Sequence, residues 1–258
     1  MKKILIIILA FVFSAGMPVL AQKTIKKESE TEKKFPVKKG NLRLVKDNVK
    51  LNYVKNTEIR NDTLRVYNDW NKNMTLGFEN LPAHMEAIAI PTILEPKKEG
   101  MVVVKYNAAK KGDFGYSFEN LNIITDDTLE ASKSLFVMVY IEEDFSMLSK
   151  EQMENAPRIS FETEKLEFGK IKSGERVKYN FTFTNKGKSD LIIRKTKASC
   201  GCTASEPAKS VLKPGESSTI NINFDTTGMK GDEHKTVYVY NNDPRYSTVA
   251  LHITGIVE

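Results

Sequence analysis

Two cysteines, Cys200 and Cys202, are the residues of this chain best suited to chemistry, and the chain has no others. They flank a single glycine, Gly201. In an extended strand, residues two apart lie about 6.6 Å apart at Cα with their side chains on one face, which is close to the upper limit for a disulfide. A bend at Gly201 would shorten that gap. We therefore favour a small-ring disulfide in an oxidising compartment.

Two other chemistries fit the same pair. Two thiolates on one face could hold a soft ion such as Cu(I) or Zn(II), but Cys-x-Cys supplies only half of a tetrahedral zinc site. The conceivable further ligands are His234, His252 and Met229. Nothing in their spacing brings them to Cys200. A redox-active thiol pair would need positive charge nearby to stabilise a thiolate. Basic residues precede the motif at Arg194, Lys195 and Lys197.

No other catalytic constellation is present in the sequence. We find no Gly-x-Ser-x-Gly elbow, no His-Glu-x-x-His, no phosphate-cradling glycine loop and no credible carboxylate pair. Three histidines leave little material for acid–base chemistry. We interpret His84, like His234 and His252, as an ordinary loop or strand residue. The sequence predicts that the protein is not an enzyme and needs no cofactor.

The elements around the cysteines follow a period of two from residue 159 onwards. Apolar residues share one strand face at Val177, Tyr179, Phe181 and Phe183. Turn residues lie between the apolar runs at 185–187, 213–216 and 241–244. About seven short strands in roughly 100 residues predict an immunoglobulin-like β-sandwich over residues 158–258.

Four motifs in this stretch resemble one family: Leu166-Glu167-Phe168-Gly169, Thr184-Asn185-Lys186-Gly187, Ser199-Cys200-Gly201-Cys202-Thr203 and Lys213-Pro214-Gly215-Glu216. The family is bacterial domain-of-unknown-function family 1573, which is common in exported Bacteroidetes proteins and related to PapD-like and Hydin-like immunoglobulin folds. The resemblance covers roughly residues 161–257, and its most specific element is Ser-Cys-Gly-Cys-Thr. It implies an exported protein with an immunoglobulin-like fold.

Residues 42–141 resemble a diverged copy of the same unit. At an offset near 115 residues, 103–107 matches 221–225 and 124–127 matches 240–243, which is typical of a whole-domain duplication. Met85 and Ala87 fall nearest the cysteine positions. Residues 142–157 form the predicted linker, with a short helix capped by Ser149 and Gln152. The predicted fold class is therefore all-β, with two tandem immunoglobulin-like sandwiches.

The N-terminus predicts export. Residues 1–21 have the basic start, apolar run and small-residue cleavage site of a signal peptide. Residues 22–41 are predicted to form a disordered basic leader. The formal net charge is only +6 and includes two lysines of that signal. Because the basic residues form no face interleaved with aromatics, nucleic acid is not an expected partner. We expect a periplasmic protein without a transmembrane segment in its mature form; the alternative is a secreted or cell-surface protein.

These observations favour an exported binding or scaffolding module whose partner is an envelope protein or glycan. The alternative is a thiol-redox or copper- or zinc-handling protein that acts through Cys200 and Cys202. Sandwich proteins can bind partners by adding strands at an open sheet edge, and residues 235–240 are a candidate for such an edge. Three sites resemble those at which Bacteroidetes attach sugars to exported proteins: Thr63, Thr128 and Thr226.

Overall fold

The structure, a computed structural model, describes residues 29–258. The predicted signal peptide and residues 22–28 of the predicted leader lie outside the described residues. The described chain is nearly all β and forms two sandwiches in tandem, which confirms the predicted fold class. Among residues 29–258, no helix is both long and apolar enough to cross a membrane. We call residues Val37–Glu142 the first unit and Ile159–Val257 the second unit.

The first unit has ten strands, preceded by the helix α1, Glu30–Lys34, and interrupted by α2, Ala108–Lys111. The strands are β1 (Val37–Lys39), β2 (Leu42–Leu44), β3 (Asn48–Lys55), β4 (Ile59–Asn68), β5 (Met74–Glu79), β6 (Met85–Ile90), β7 (Ile93–Leu94), β8 (Glu99–Asn107), β9 (Gly115–Thr125) and β10 (Ser132–Glu142). They form two sheets in the orders β1-β2-β4-β8-β6 and β3-β10-β9-β5-β7.

The second unit follows the helix α3, Lys150–Glu154, in the predicted linker. Its strands are β11 (Ile159–Phe161), β12 (Lys165–Ile171), β13 (Arg176–Asn185), β14 (Leu191–Ala198), β15 (Thr203–Pro207), β16 (Val211–Leu212), β17 (Ser217–Asp225), β18 (Gly231–Asn241) and β19 (Thr248–Val257). They form sheets in the orders β11-β13-β17-β15 and β12-β19-β18-β14-β16. Apart from β1, each sheet has the same connectivity as its counterpart in the first unit.

Equivalent side chains make equivalent hydrogen bonds in the two units. The Nδ2 group of Asn68, at the end of β4, donates to the carbonyl of Leu94 at 2.8 Å. The Nδ2 group of Asn185, at the end of β13, donates to the carbonyl of Leu212 at 3.0 Å. In both cases a buried amide ties the end of one sheet to the short edge strand of the other. The structure therefore supports the inferred duplication at the level of single contacts.

A buried aspartate supplies a second shared tie. Asp127, after β9, accepts the backbone N–H of Asn41 at 2.6 Å, and Asp243, after β18, accepts that of Ile159 at 3.0 Å. This equivalence confirms the match of 124–127 with 240–243. Each aspartate joins the start of its unit to a strand end that lies more than 80 residues later in the sequence.

The prediction of disorder is wrong for residues 29–41. Ser29 and Glu32 form a capping box that begins α1, and β1 pairs with β2. Phe35 is 1% exposed and stacks on Tyr67 with ring centroids 5.5 Å apart. A single buried ring thus anchors a segment whose charged composition alone is typical of disorder. In the linker, the predicted capping box of Ser149 and Gln152 is confirmed.

Candidate functional site

The outer face of the β3-β10-β9 sheet carries a cluster of exposed aromatic side chains. We call the aromatic face the set Tyr53, Tyr116, Phe118, Phe136, Met138 and Tyr140. Tyr53 is 62% exposed, Phe118 58% and Phe136 55%. A cluster of large apolar side chains in water at one place is uncommon on a monomeric protein and marks an interaction surface. This face is the strongest candidate for a functional site in the described chain.

Strand alternation places these side chains on the outside. Along β10, Leu135, Val137 and Val139 are buried, so the residues between them must point away from the core. The same alternation on β9 buries Ser117 and exposes its neighbours. Register then sets Tyr140 opposite both Tyr116 and Tyr53. Three tyrosines from three strands therefore form one row across the sheet.

The rings of this row stand at steep angles to one another. The Tyr53 and Tyr140 ring centroids are 5.0 Å apart with an interplanar angle of 61°, and those of Tyr116 and Tyr140 are 4.8 Å apart at 74°. Edge-to-face packing of this kind is favourable between aromatic rings. It also makes the surface ridged, because neighbouring rings present an edge and a face in turn.

Three shallow depressions follow the aromatic face. One of about 210 Å³ lies beside Tyr53 and Tyr140, and one of about 290 Å³ lies between Phe118 and Phe136. A third, also of about 290 Å³, extends the face across the junction to the second unit. Its walls are Tyr116, Phe118, Lys197, Ala198, Ser199, Tyr238 and Tyr240. The candidate site therefore ends one residue before the Cys-Gly-Cys motif.

Direct contacts hold the second unit against this end of the face. The Tyr140 hydroxyl lies 3.2 Å from Thr248 Oγ1, and burial raises the pKa of Tyr140 more than that hydrogen bond lowers it. Gly115 adopts a positive φ of 77°, and a Cβ at this position would overlap the Tyr240 hydroxyl. Tyr240 itself is 3% exposed. The two units thus share a close-packed junction at which glycine is required.

The basic residues before the cysteines belong to this junction. The Arg194 guanidinium pairs with Glu143 at 2.6 Å, and the Lys197 ammonium donates to the Tyr116 carbonyl at 2.6 Å. Lys195 pairs with Asp113, and although burial opposes ionisation of that carboxyl, the lysine hydrogen bond and charge lower the pKa of Asp113. The three basic side chains that could have stabilised a thiolate are therefore paired with residues of the first unit and the linker.

Cys200 and Cys202 are joined by a disulfide, with their Cα atoms 5.3 Å apart. The bridge closes the turn between β14 and β15, at which the chain crosses from one sheet of the second unit to the other. Cys202 packs against the core of that unit. Within residues 29–258, no group of three or more metal-binding side chains surrounds the pair. His234 and His252 lie exposed on the outer face of β18 and β19.

The residue equivalent to Cys202 in the first unit is His84. The Asp225 amide donates to the Cys202 carbonyl at 3.0 Å, and the Asn107 amide donates to the His84 carbonyl at 2.9 Å. The sequence alignment that placed Met85 and Ala87 at the cysteine positions is therefore displaced, because β6 pairs with β8 as β15 pairs with β17. The crossover is built in the first unit without a disulfide.

His84 is not the ordinary loop residue that we expected. Its Nε2 atom lies 3.1 Å from the Glu119 carboxylate, and both side chains are largely buried. Burial opposes ionisation of Glu119, but hydrogen bonds from Lys111 and Ser117 and the charge of Lys111 outweigh it and lower the pKa of Glu119. The first unit thus has a polar cluster of His84, Glu119 and Lys111 at the place where the second unit has its disulfide.

Two further predictions change with the structure. Thr226 is fully buried, and its hydroxyl donates to the Glu175 carbonyl at 2.7 Å, so a glycosyl group cannot be attached to it in the folded chain. Thr63 and Thr128 are exposed and stay predictions. Residues 235–240 belong to β18, which lies between β19 and β14 and is not an edge. Val237 and Val239 from this run are buried in the core.

Residues 159–257 match the DUF1573 family model. The family is described as a protein of unknown function, and the match confirms the resemblance inferred from the motifs. It covers the second unit, so the aromatic face lies outside the part that matches DUF1573. The comparison with curated proteins found no match.

Solved structures resemble the fold. A protein of unknown function from Porphyromonas gingivalis W83 is 16% identical with a TM-score of 0.60, and the match covers 84% of this chain and 100% of that one. The PapD-like domain 7 of human CEP192 is 13% identical with a TM-score of 0.33, over 45% of this chain and 97% of that one. The chaperone YadV is 10% identical with a TM-score of 0.31, over 83% and 99%. At 16% identity the likeness to the Porphyromonas gingivalis protein concerns the fold alone.

The aromatic face was not predicted from the sequence. A signal was present, since β10 carries large apolar side chains on both faces and one face of a two-layer sandwich must lie outside. At the places of Phe118 and Phe136 the second unit has His234 and His252. A sequence alignment of the two units that pairs Asp127 with Asp243 would have identified these positions as unusual.

Proposed function

We propose that this chain is an exported cell-envelope binding protein whose aromatic face recognises a partner protein, and that it catalyses no reaction of its own. The exposure of Tyr53, Phe118 and Phe136 carries the proposal, because leaving these rings in water has no benefit to the fold. A fully buried aromatic side chain stabilises a protein by roughly 1.5–3 kcal/mol. A partner that covers the face recovers energy of this order from each ring.

The composition of the face favours a protein over a glycan. Tyrosine, phenylalanine and methionine are enriched at the centres of protein interfaces, where a few aromatic side chains contribute most of the binding energy. The steep ring angles at Tyr140 favour side chains that fit between ridges. Lys50 and Asn52 at the margin add polar groups that can fix the orientation of a partner. We propose a partner with an apolar, convex surface, and the periplasm as the compartment.

The two units supply a matched test. A photo-crosslinking phenylalanine analogue is placed at Phe118 in one variant and at the equivalent His234 in another, and each full chain is expressed in its native host. We expect a discrete protein adduct from position 118 that is absent from position 234. The adduct partner is then identified by mass spectrometry, purified, and titrated against the unmodified chain.

Loss-of-function variants test the same face without a probe. We expect the double change F118S/F136S to weaken binding of the purified partner at least tenfold, because each deleted ring removes more than about 1 kcal/mol. The matched change H234S/H252S should leave it unaltered. Equal effects of the two double changes would overturn the proposal. So would adducts at position 118 that contain only carbohydrate.

A further inference from the structure

The outer face of the other sheet of the first unit has an apolar edge. On β6, Ile88 is 58% exposed and Ile90 47%, and Met101 on the neighbouring β8 is 40% exposed. Register places Met101 beside Ile90 and Val103 beside Ile88. β6 is the last strand of its sheet. It pairs with β8 on one side only, so the apolar strip borders a free strand edge.

The backbone of β6 is open to a further strand. The Asn107 amide donates to the His84 carbonyl, which makes these two residues a hydrogen-bonded pair of the β6–β8 ladder. In an antiparallel ladder such pairs alternate, so the backbone groups of Glu86, Ile88 and Ile90 bond to β8. Those of Ala87 and Ala89 therefore point to the open edge. Their small side chains pack partly buried against the core.

β6 carries little of the usual protection of a free edge, since Pro91 follows the strand but does not lie within it. Edges are commonly protected by lysine, proline or charged residues. The only charged residue of β6 is Glu86, and Lys105 pairs with it at 3.3 Å. The equivalent strand β15 ends in Glu206 and Pro207. Beside β15 the outward residues are polar, at Lys178, Asn180, Asn221 and Asn223.

We propose that β6 pairs antiparallel with β6 of a second copy of this chain, about a twofold axis that passes through Ile88. In this register Ala87 of one copy lies opposite Ala89 of the other, so the free N–H and C=O groups of both strands meet. Ile88 lies opposite its own symmetry mate. The interface is isologous and closed, and the two sheets become one continuous sheet.

Charge favours a second copy as the occupant. The symmetry sets Glu86 of each copy opposite Ile90 of the other, so the two glutamates are four residues apart along the strands. That separation is about 14 Å, which exceeds the Debye length of about 10 Å at 0.1 M salt. Each glutamate is also neutralised by Lys105 of its own copy. The strands can therefore meet without repulsion, with isoleucines at the axis. The proposal does not rest on the aromatic face, which lies on the other sheet.

A symmetric disulfide tests the register. Directly opposed residues of antiparallel strands have Cβ atoms about 4.5–5.5 Å apart, within reach of a disulfide after a small adjustment. The native cysteines are joined to each other. We expect the full-length variant I88C to form a covalent dimer under mild oxidation on a non-reducing gel. The control I90C is similarly exposed but faces Glu86 of the second copy, so it should stay monomeric. Absence of the I88C dimer, or equal crosslinking of both variants, would overturn the register.

Charge at the axis tests the dimer itself by sedimentation velocity. We expect the unmodified chain to dimerise with rising concentration, and I88K and I88E each to weaken dimerisation at least tenfold while the melting temperature of the monomer is unchanged. An equimolar mixture of I88K and I88E should restore the dimer. A chain that is monomeric at 200 µM, or an I88K variant that dimerises like the parent, would refute the proposal. The F118S/F136S change should leave the dimer intact, so failure of the proposed binding function is distinguishable from failure here.

Discussion

The first and second units share one topology and one set of structural ties but differ on their surfaces. The first unit exposes aromatic and aliphatic side chains on both of its sheets, whereas the equivalent positions of the second unit carry His234, His252 and polar residues, with Ile256 at the place of Tyr140 as the exception. The edge strand β6 of the first unit contains no proline, although Pro91 follows it, whereas the equivalent strand β15 of the second unit includes Pro207. Two units of one topology can thus differ in how much apolar surface they leave exposed.

The interiors also differ. Lys133 of the first unit is fully buried, and its ammonium lies 3.3 Å from the carboxylate of Asp127. The second unit has Val249 at the equivalent place, beside the equivalent Asp243. A buried ion pair contributes little net stability, but removal of one partner leaves an uncompensated charge. The second unit contains the simpler core, and the first depends on an exact pairing.

The largest expected difference between the two units is in the stability cost of removing their buried aspartates, Asp127 and Asp243. We expect D127A to lower the free energy of unfolding by about 3–5 kcal/mol, because the buried Lys133 would keep its hydrogen bonds to Thr125 and Glu130 but lose its counter-charge. D243A should cost only about 1–3 kcal/mol, since it removes hydrogen bonds to Ile159 and Arg245 but strands no charge. Urea unfolding of each variant measures the difference. Equal costs would mean that the Lys133 charge does not matter.

The junction between the units gives the next effect. Gly115 and Gly112 both have positive φ, of 77° and 63°, so alanine strains the backbone at either place. Only at Gly115 would the added Cβ meet Tyr240. We expect G115A to destabilise by about 1–3 kcal/mol more than G112A. Differential scanning calorimetry of both variants checks this, and in a Y240A background G115A should cost no more than G112A does.

Loss of the disulfide should have a smaller effect. A loop this short restricts the unfolded chain little, so we expect C200S/C202S to cost about 1–2 kcal/mol and to leave the fold intact. The first unit supports this expectation, since His84 occupies the place of Cys202 there without a bridge. Circular dichroism and thermal unfolding provide the measurement. Unfolding of the second unit at neutral pH would show that the bridge is essential.

The smallest effect appears only in acid. Burial by itself would raise the pKa values of Asp69 and Asp127. Hydrogen bonds outweigh burial and lower both values below the ordinary 3.8. Arg43 and Lys97 donate these bonds to Asp69, and Asn41 is the main donor to Asp127. A carboxyl with a lowered folded pKa stabilises the protein above pH 3.8 and loses that contribution as the pH falls through its folded value. In the second unit the carboxyls with lowered values, Glu216 and Asp225, are exposed and screened by solvent.

The first unit should therefore unfold at a higher pH than the second. Trp70 is the only tryptophan of the chain and lies in the first unit, so its fluorescence follows that unit alone. Hydrogen exchange read by mass spectrometry follows the amides of β13 and β17 in the second unit. A single transition for both signals would contradict the expected order.

Much of the fold could be predicted from local patterns. The alternation around Val177–Phe183 gave a strand, Ser149 with Gln152 gave a capped helix, and both are present. The match of residues 159–257 to DUF1573 was inferred from four short motifs. The ordered Phe35 segment was missed, because one buried ring among many charges is a contact that composition does not register.

The candidate site could not be predicted in the same way. Alternation separates the two faces of β10 but does not say which face meets the core, since Leu135 and Phe136 are both apolar. Only the packing of the two sheets decides that Leu135 is buried and Phe136 exposed. Whether β6 or β18 is an edge depends likewise on which strands pair across long stretches of chain. The sequence by itself determined the turns and most strands of the second unit, though not the short strands β15 and β16, because these features depend on neighbouring residues. The tertiary structure alone decided the exposed faces, the open edge and the junction, because these depend on contacts between distant ones.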